Sequence, residues 1–405
     1  MEADPAGADR YRAGVDLDFA DPEFVRDPYP ALARLRERGP VTWHAPTGRW
    51  LAAGHAAAGA VLRDRRLGRF WRDREPAARW EPFNLLHREQ MMENEPPAHT
   101  RLRSLVARAF GRGHVARLRP AIAAEAARLL TAAGSEFDLL ADLAEPLAVT
   151  VIAELLGVPA ADRHRLRPWS AAIVRMYEVA PTAAAEDAAL AACREFAGYL
   201  RDLAARRAAE PRDDLISHLV AVRDGTDRLS PDELVASAIL LLNAGHEASV
   251  NALGGGVVAL LRHPGELARL RADRALVPTA VEEMIRYDPP LHLFARTAAE
   301  PVEIAGVTIP AGGEVAALLG AANRDPAVFA EPAVFDVARD PNPHLGFGAG
   351  LHFCLGAPLA RLELQAALAA LLDHAPTLAL AAEPVQRPTF VLRAYTAVRL
   401  TTRPA

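Results

Sequence analysis

One short segment limits the folds open to this chain more than any other feature does. It runs Phe347-Gly348-Ala349-Gly350-Leu351-His352-Phe353-Cys354-Leu355-Gly356, and a predicted helix follows at once, near Pro358. Its glycines allow tight backbone turns and a close approach to a flat ligand. The N-terminus of the following helix stabilises negative charge, so the sequence predicts that Cys354 can act as a thiolate.

Three other interpretations of this segment follow from the residues alone. A single cysteine is most often a small buried hydrophobe. A dinucleotide-binding loop needs a buried strand directly upstream, and the residues there, Asp340-Pro341-Asn342-Pro343-His344, cannot form a central strand. A nucleophilic pair of Cys354 with His352 needs an orienting acid, which the sequence does not identify. The first and third interpretations stay open at this point.

Composition excludes several classes of partner. The chain has 405 residues and a formal net charge of -5, so no excess of positive charge attracts nucleic acid or an anionic membrane surface. Its cysteines, Cys193 and Cys354, form no Cys-x-x-Cys pair, which argues against a disulfide framework and against a zinc or iron–sulfur site. A reducing, cytoplasmic location is expected.

No segment of the sequence is predicted to span a membrane. The N-terminus lacks an apolar run, and a spanning helix needs roughly 20 consecutive apolar residues. The longest apolar stretch, Leu234 to Leu261, is interrupted by Asn243, His246, Glu247 and Asn251. This stretch therefore predicts a buried helix of a soluble protein.

Hydrophobic periodicity predicts a mainly α protein with small β-sheets. Apolar residues recur at spacings of three and four in the predicted helices Pro28–Arg38, His99–Phe110, Pro120–Leu130, Ala185–Glu210, Pro231–Arg262 and Pro358–His374. Alternation predicts short strands at Val41–Trp43, Trp50–Ala53, Val302–Ile304 and Val307–Ile309. No repeat or linker divides the chain, so we expect a flexible segment 1–20 and a single domain 21–405.

The cysteine segment resembles the haem-binding loop of the cytochrome P450 family over its whole length. Phe347 stands three residues before Gly350, His352 two before Cys354, and Gly356 two after it. The resemblance implies the cytochrome P450 fold, haem b (iron protoporphyrin IX) as cofactor, and Cys354 as the ligand of the haem iron. A thiolate ligand donates electron density that favours cleavage of the O–O bond.

Further motifs in the same order strengthen the resemblance. Glu283 and Arg286 lie one helical turn apart, and in this family such a pair joins a downstream arginine, here Arg339, in a structural role. The family's contacts to the haem propionates match His99, Arg103, Arg296 and His352. Forked, cationic donors suit carboxylates, although a basic surface stripe around Arg101 to Arg112 would look similar in sequence.

Polar residues enter the long apolar helix at Asn243-Ala244-Gly245-His246-Glu247-Ala248-Ser249. Buried polar groups cost free energy unless they are partnered, which makes His246 and Glu247 functional candidates unless they face outwards. The segment resembles the family's oxygen-binding helix, with Ala244 beside the cofactor, Gly245 opening a groove and Glu247 routing protons. Ala248 departs from the family pattern, which carries threonine there. Ser249 lies about 100° further round the helix and does not simply replace it.

The resemblance also implies a function. We expect a monooxygenase that uses O2 and electrons from a separate ferredoxin or flavodoxin with its reductase, docked on the basic stripe. Apolar and aromatic residues suggest a sizeable apolar or aromatic-bearing small-molecule or peptide substrate. The positions that correspond to substrate contacts are Trp80, Phe83, Leu86, Ile173, Met176, Tyr177, Leu291, His292, Leu293, Phe294, Phe390 and Val391. Core packing explains each of them equally well. Oxidative coupling on the same scaffold, or a non-catalytic haem protein, are the alternatives.

Overall fold

The computed structural model of the chain describes residues 17–109, 112–177, 181–222 and 227–402, and most of these residues are helical. The helices, in chain order α1 to α16, are Pro22–Arg26, Tyr29–Arg38, His55–Arg63, Ala77–Arg88, Ala98–Ala109, Arg112–Arg117, Arg119–Ala133, Glu145–Leu156, Leu166–Val174, Ala183–Ala209, Leu215–Ala221, Pro231–Arg262, Pro264–Ala272, Val277–Tyr287, Leu319–Ala322 and Ala357–His374.

The strands are short and form small sheets. In chain order, β1 to β12 are Val41–His44, Arg49–Ala52, Leu67–Gly68, Glu136–Asp138, Leu293–Ala298, Val302–Ile304, Val307–Ile309, Glu314–Leu318, Ala379–Leu380, Val385–Gln386, Tyr395–Ala397 and Arg399–Thr401. The largest sheet has the order β1-β2-β8-β5-β3, and the other sheets are β4-β12-β9, β10-β11 and β6-β7. The mainly α architecture with small β-sheets predicted from the sequence is confirmed.

Helix α12 (Pro231–Arg262) forms the centre of the largest core cluster, and its start follows from local sequence. The Ser230 hydroxyl accepts from the Glu233 N–H, while the Glu233 carboxylate accepts from the Ser230 N–H. This reciprocal capping box satisfies two N–H groups that the first turn leaves unpaired. Further along, a Cβ at Gly256 would overlap the Met284 side chain, so only glycine lets α12 and α14 (Val277–Tyr287) pack this closely.

The hairpin of β6 and β7 also follows from its turn. Ala305 and Gly306 both have positive φ, of 51° and 80°, as a two-residue type I′ turn requires. The turn sets the pairing of Val302 with Ile309 and of Ile304 with Val307. Both strands begin and end where alternation in the sequence predicts.

Element boundaries differ by a few residues from the sequence prediction, chiefly at helix ends. The helix predicted to end at Phe110 is described to Ala109, and Phe110 itself lies outside the described residues. Of the expected flexible segment, residues 1–16 also lie outside them, while Leu17 is buried and Phe19 stacks on Phe390 at 4.9 Å. The packed chain thus includes Leu17, earlier than the expected boundary at residue 21.

Candidate active site

Cys354 lies directly before the N-terminus of helix α16 (Ala357–His374), where two backbone N–H groups donate to its sulfur. The Sγ atom accepts from the N–H groups of Gly356 and Ala357, and the Cys354 N–H donates to the Phe347 carbonyl at 2.9 Å. Burial nevertheless raises the pKa of the Cys354 thiol, against the lowering effect of these donors. A cation bound at the sulfur would stabilise the thiolate. The environment therefore suits a metal ligand better than a free nucleophile.

The glycines of this loop serve close packing of the backbone. Gly350 has a φ of 70°, and a Cβ there would lie 2.4 Å from the carbonyl oxygen of Leu62, at the end of α3 (His55–Arg63). Gly348 also has a φ of 70°. Sequence reasoning assigned these glycines to the approach of a flat ligand. At Gly350, the neighbour that leaves no room for a side chain is helix α3 of the protein itself.

Two buried side chains near the cysteine loop have nitrogen atoms without a hydrogen-bond partner among the described residues. Both ring nitrogens of His99 and the Nε of Arg296 are buried without a hydrogen bond. Burial lowers the pKa of His99 to about 4 and that of Arg296 to about 10. Buried donors of this kind are costly unless an acceptor reaches them. An anionic ligand at this place would satisfy both.

The other two predicted propionate contacts lie beside this pair. The ring centroids of His352 and His99 are 4.5 Å apart, and Arg103 donates to the Phe353 carbonyl at 2.7 Å. His352 also pairs through Nε2 with Glu95 at 2.8 Å. The structure thus brings His99, Arg103, Arg296 and His352 together with Cys354. Two buried donors without partners next to a buried thiol fit the carboxylates and the iron of haem.

Glu283, Arg286 and Arg339 form one buried ionic cluster. The Arg286 guanidinium donates two hydrogen bonds of 2.7 Å to the Glu283 carboxylate, and both side chains are 0% exposed. Arg339 Nε lies 3.2 Å from the same carboxylate. Arg286 also donates to the carbonyls of Asn323, Pro332 and Val334. The cluster connects α14 to the chain that leads into the cysteine loop.

The polar segment of α12 presents an open face at Ala244 and Ala248. These residues are one helical turn apart and remain partly accessible within an otherwise buried helix. Gly245 faces elsewhere, since a Cβ there would lie 3.7 Å from Ile152 of α8 (Glu145–Leu156). Gly245 therefore lies about 100° round the helix from this face, on the side of α8, and the expectation that it opens the groove stays a prediction.

Two ionisable side chains follow on the same segment. Burial raises the pKa of Glu247, and its nearest cation is Arg387, with Nη1 3.8 Å from the carboxylate. Burial lowers the pKa of His246 to about 4, and neither ring nitrogen has a hydrogen-bond partner among the described residues. Ser249 is buried. The segment thus places a carboxyl whose pKa lies above its ordinary value one residue from Ala248.

The residues predicted to contact substrate fall into two separate groups. Trp80, Phe83, Leu86, Ile173 and Met176 are buried in the large cluster around α12. Tyr177 is 47% exposed, and its hydroxyl meets His87 Nε2 at 2.9 Å. The first group is an apolar cluster formed by α4 (Ala77–Arg88), the end of α9 (Leu166–Val174) and the residues that directly follow α9.

The second group, which comprises residues 291–294, 390 and 391, contains both buried and accessible side chains. Phe390 and Leu293 belong to the core beneath the N-terminal helices, and His292 packs on the rings of Tyr29 and Phe390. His292 and Phe390 are therefore corrected from pocket to core positions, because aromatic packing fills their surroundings. Three residues keep partly accessible side chains: Leu291, Phe294 and Val391.

The predicted basic stripe is largely engaged in internal contacts. Arg101 forms ion pairs with Glu233 and Asp227, and Arg103 points to the Phe353 carbonyl. Charges that are neutralised by partners contribute little to steering an acidic protein. The expected docking surface at Arg101 to Arg112 thus has one cation, Arg101, that ion pairs neutralise, whereas the bond of Arg103 to a neutral carbonyl leaves its charge in place.

Sequence reasoning missed several charged residues of this region. Glu95 binds His352, Glu282 binds Arg361 of α16, and burial raises the pKa of Glu363 to about 8. Glu95 stands in the same segment as His99, and Glu282 directly precedes Glu283. Their proximity to the recognised motifs was a signal, but which way each side chain points depends on the tertiary fold.

The chain matches the family model described as Cytochrome P450 over residues 70–375. It is 43% identical to the cytochrome P450 monooxygenase PikC of Streptomyces venezuelae, over 91% of this chain and 89% of that protein. It is 42% identical to the 6-deoxyerythronolide B hydroxylase of Saccharopolyspora erythraea, over 93% and 96%.

Solved structures give the same result. The crystal structure of P450BioI in complex with an acyl carrier protein carrying hexadec-9Z-enoic acid matches with a TM-score of 0.89 and 36% identity, over 94% of this chain and 99% of that chain. Within the described part of the chain, no helix is long and apolar enough to cross a membrane. The chain belongs to the cytochrome P450 family, and it is a haem b-containing monooxygenase.

Proposed function

We propose that Cys354 is the axial ligand of the haem iron and that the enzyme oxidises a sizeable apolar or aromatic-bearing natural product. The observation that carries the ligand assignment is the buried Sγ with two backbone N–H donors beside buried, unpartnered donors of His99 and Arg296. The accessible apolar side chains of Leu291, Phe294 and Val391 support the substrate class. The names of relatives also support it, since one hydroxylates 6-deoxyerythronolide B.

When bound, haem supplies the oxygen-activating chemistry, and this chain supplies binding, orientation and protons. Four side chains would hold the propionates: His99, Arg103, Arg296 and His352. We propose a structural role for Glu283, Arg286 and Arg339, which support the chain that leads into the cysteine loop. We also propose that the packed chain, from Leu17 onwards, acts as one cytoplasmic domain and receives electrons from a separate ferredoxin or flavodoxin with its reductase.

Proton delivery is where this chain departs from the family pattern. Glu247 lies beside this position, with a pKa that burial raises, but Ala248 on the open face of α12 offers only a methyl group. A methyl group neither donates nor accepts a proton. We propose that a hydroxyl or amide of the substrate, or a water that the substrate holds near Glu247, supplies the missing group.

A substrate screen with product masses tests the proposed reaction. We expect purified enzyme, supplied with a ferredoxin, its reductase and NADPH, to convert at least one macrolactone or comparable apolar natural product into a product heavier by one oxygen. A product that has lost two hydrogens would show oxidative coupling instead. Absence of any product from a broad panel, with normal electron delivery to the iron, would contradict the proposed substrate class.

The Ala248→Thr variant tests substrate-assisted proton delivery. The unmodified enzyme is expected to use its electrons efficiently with its true substrate and to release peroxide with an analogue that lacks the polar group. A threonine hydroxyl should narrow that difference, because it can take part in proton transfer. Product formed per NADPH consumed, with peroxide measured in parallel, gives the answer.

The matched control is Ala205→Thr, which adds the same hydroxyl at an exposed position of α10 (Ala183–Ala209). It should leave the difference between substrate and analogue unchanged. Equal efficiency of the unmodified enzyme with both compounds would refute the role of the substrate and direct attention to Ser249 or to a fixed water chain.

A further inference from the structure

Two neighbouring glutamates of α14, Glu282 and Glu283, contact different partners. Glu283 is buried in the ionic cluster with Arg286 and Arg339. Glu282 instead reaches Arg361 on α16 and His344 in the chain that precedes Cys354. Adjacent helical positions differ by about 100° in direction, so the two carboxylates serve different parts of the molecule.

Glu282 makes charge-assisted contacts with both of its partners. Arg361 donates from Nε and Nη2 to the two oxygens of Glu282, each at 2.7 Å, and His344 Nε2 lies 3.1 Å from Oε2. Burial opposes ionisation of this carboxyl, but the hydrogen bonds from Arg361 and His344 outweigh it and lower the pKa of Glu282 to about 2. Such a forked pair fixes position as well as charge.

Both partners of Glu282 act on the chain that leads to the cysteine. His344 Nδ1 accepts the Gly346 N–H at 3.1 Å, so Nε2 carries the proton that faces Glu282. The Arg361 guanidinium lies 4.4 Å from the centre of the Phe347 ring, a cation–π contact. The Phe347 carbonyl in turn accepts the Cys354 N–H at 2.9 Å. A continuous set of contacts thus joins Glu282 to the backbone of the proposed ligand.

We propose that Glu282 is a positioning residue for the Cys354 thiolate, acting through Arg361 and His344. It holds the backbone from His344 to Phe347 on α14 and α16, and Cys354 is hydrogen-bonded to the end of that segment. The inference rests on the proposed role of Cys354 as ligand.

The Glu282→Gln variant tests this role by removing the charge while keeping the shape of the side chain. We expect the variant to bind haem, and its reduced carbon monoxide complex to lose the red-shifted Soret band of thiolate ligation faster in mild denaturant. Loss of a hydrogen bond to a charged group corresponds to a rate increase on the order of tenfold. Arg361→Lys, which keeps the charge but loses the fork, should show a smaller increase.

The control is Asp373→Asn on the same α16, which removes a solvent-exposed ion pair with Arg274. Its band should decay at the unmodified rate. Thermal unfolding followed by circular dichroism separates positioning from general stability: Glu282→Gln loses a forked pair that stabilises the fold, so it should unfold at a lower temperature than the control, but its band should be lost faster than the protein unfolds. Decay of the band at the control rate in both test variants, or equal acceleration of band loss and unfolding, would overturn the inference. Failure of Glu282→Gln to load haem while Arg361→Lys behaves like the control would overturn it too. A missing band in the unmodified protein would instead refute the ligand role of Cys354.

Discussion

The Cys354→Ser variant is expected to lose the red-shifted Soret band of the reduced carbon monoxide complex and, with it, substrate oxidation. A serine hydroxyl is uncharged at neutral pH and donates far less electron density to iron than a thiolate does. The backbone donors of Gly356 and Ala357 would remain, but they would meet an oxygen that has no negative charge to stabilise. Absorption spectra of the reduced complex, recorded with and without carbon monoxide, check this result.

The second cysteine provides the control. Cys193 is buried in α10 (Ala183–Ala209), and burial raises the pKa of its thiol to about 12, which keeps it neutral and unreactive. Cys193→Ala removes one buried sulfur and should keep the unmodified spectrum. An unchanged spectrum in Cys354→Ser, or loss of the band in Cys193→Ala with the fold intact, would show that the ligand assignment is wrong.

Local sequence predicted those parts of the fold that local chemistry determines. The strands Val302–Ile304 and Val307–Ile309 have the predicted bounds, because the turn between them depends only on its own residues, Ala305 and Gly306. The helix bounds shift by a few residues because terminal turns depend on tertiary contacts that no short segment contains. The mainly α class follows from periodicity alone, whereas the order of strands in the sheets does not.

The sequence predicted which residues form the candidate site, but not which way their side chains face. Motif spacing identified His99, Arg296 and Cys354, and the structure brings them together. It could not show that Gly245 faces Ile152, since that depends on how α8 packs against α12. Nor could motif spacing show that His292 packs among aromatic rings, because these rings come from distant parts of the sequence.

The Glu283→Gln and Arg286→Ala variants are expected to yield little folded, haem-loaded protein. Glu283→Gln leaves the buried Arg286 without its counter-charge, and Arg286→Ala leaves Glu283 with Arg339 as its remaining cation. Breaking a buried ion pair in this way costs about 3–5 kcal/mol. Total stabilities of folded domains are only about 5–15 kcal/mol, so a loss of this size removes a large share. Arg286 also supports three carbonyl groups, of Asn323, Pro332 and Val334, which would lose their donor. The yield of soluble protein and the haem content per chain measure the effect.

The exposed pair of Glu125 and Arg128 is a matched control because its spacing and geometry are the same. These residues are also three positions apart, with a 2.7 Å contact, but the arginine side chain is 63% exposed and the glutamate 19%. Glu125→Gln should cost less than about 1 kcal/mol, since exposed ion pairs contribute little. Burial and the further hydrogen bonds of Arg286 then distinguish the two pairs. Normal haem content and stability in Glu283→Gln, combined with lost oxidation of substrate, would contradict the structural role and place Glu283 in the chemistry.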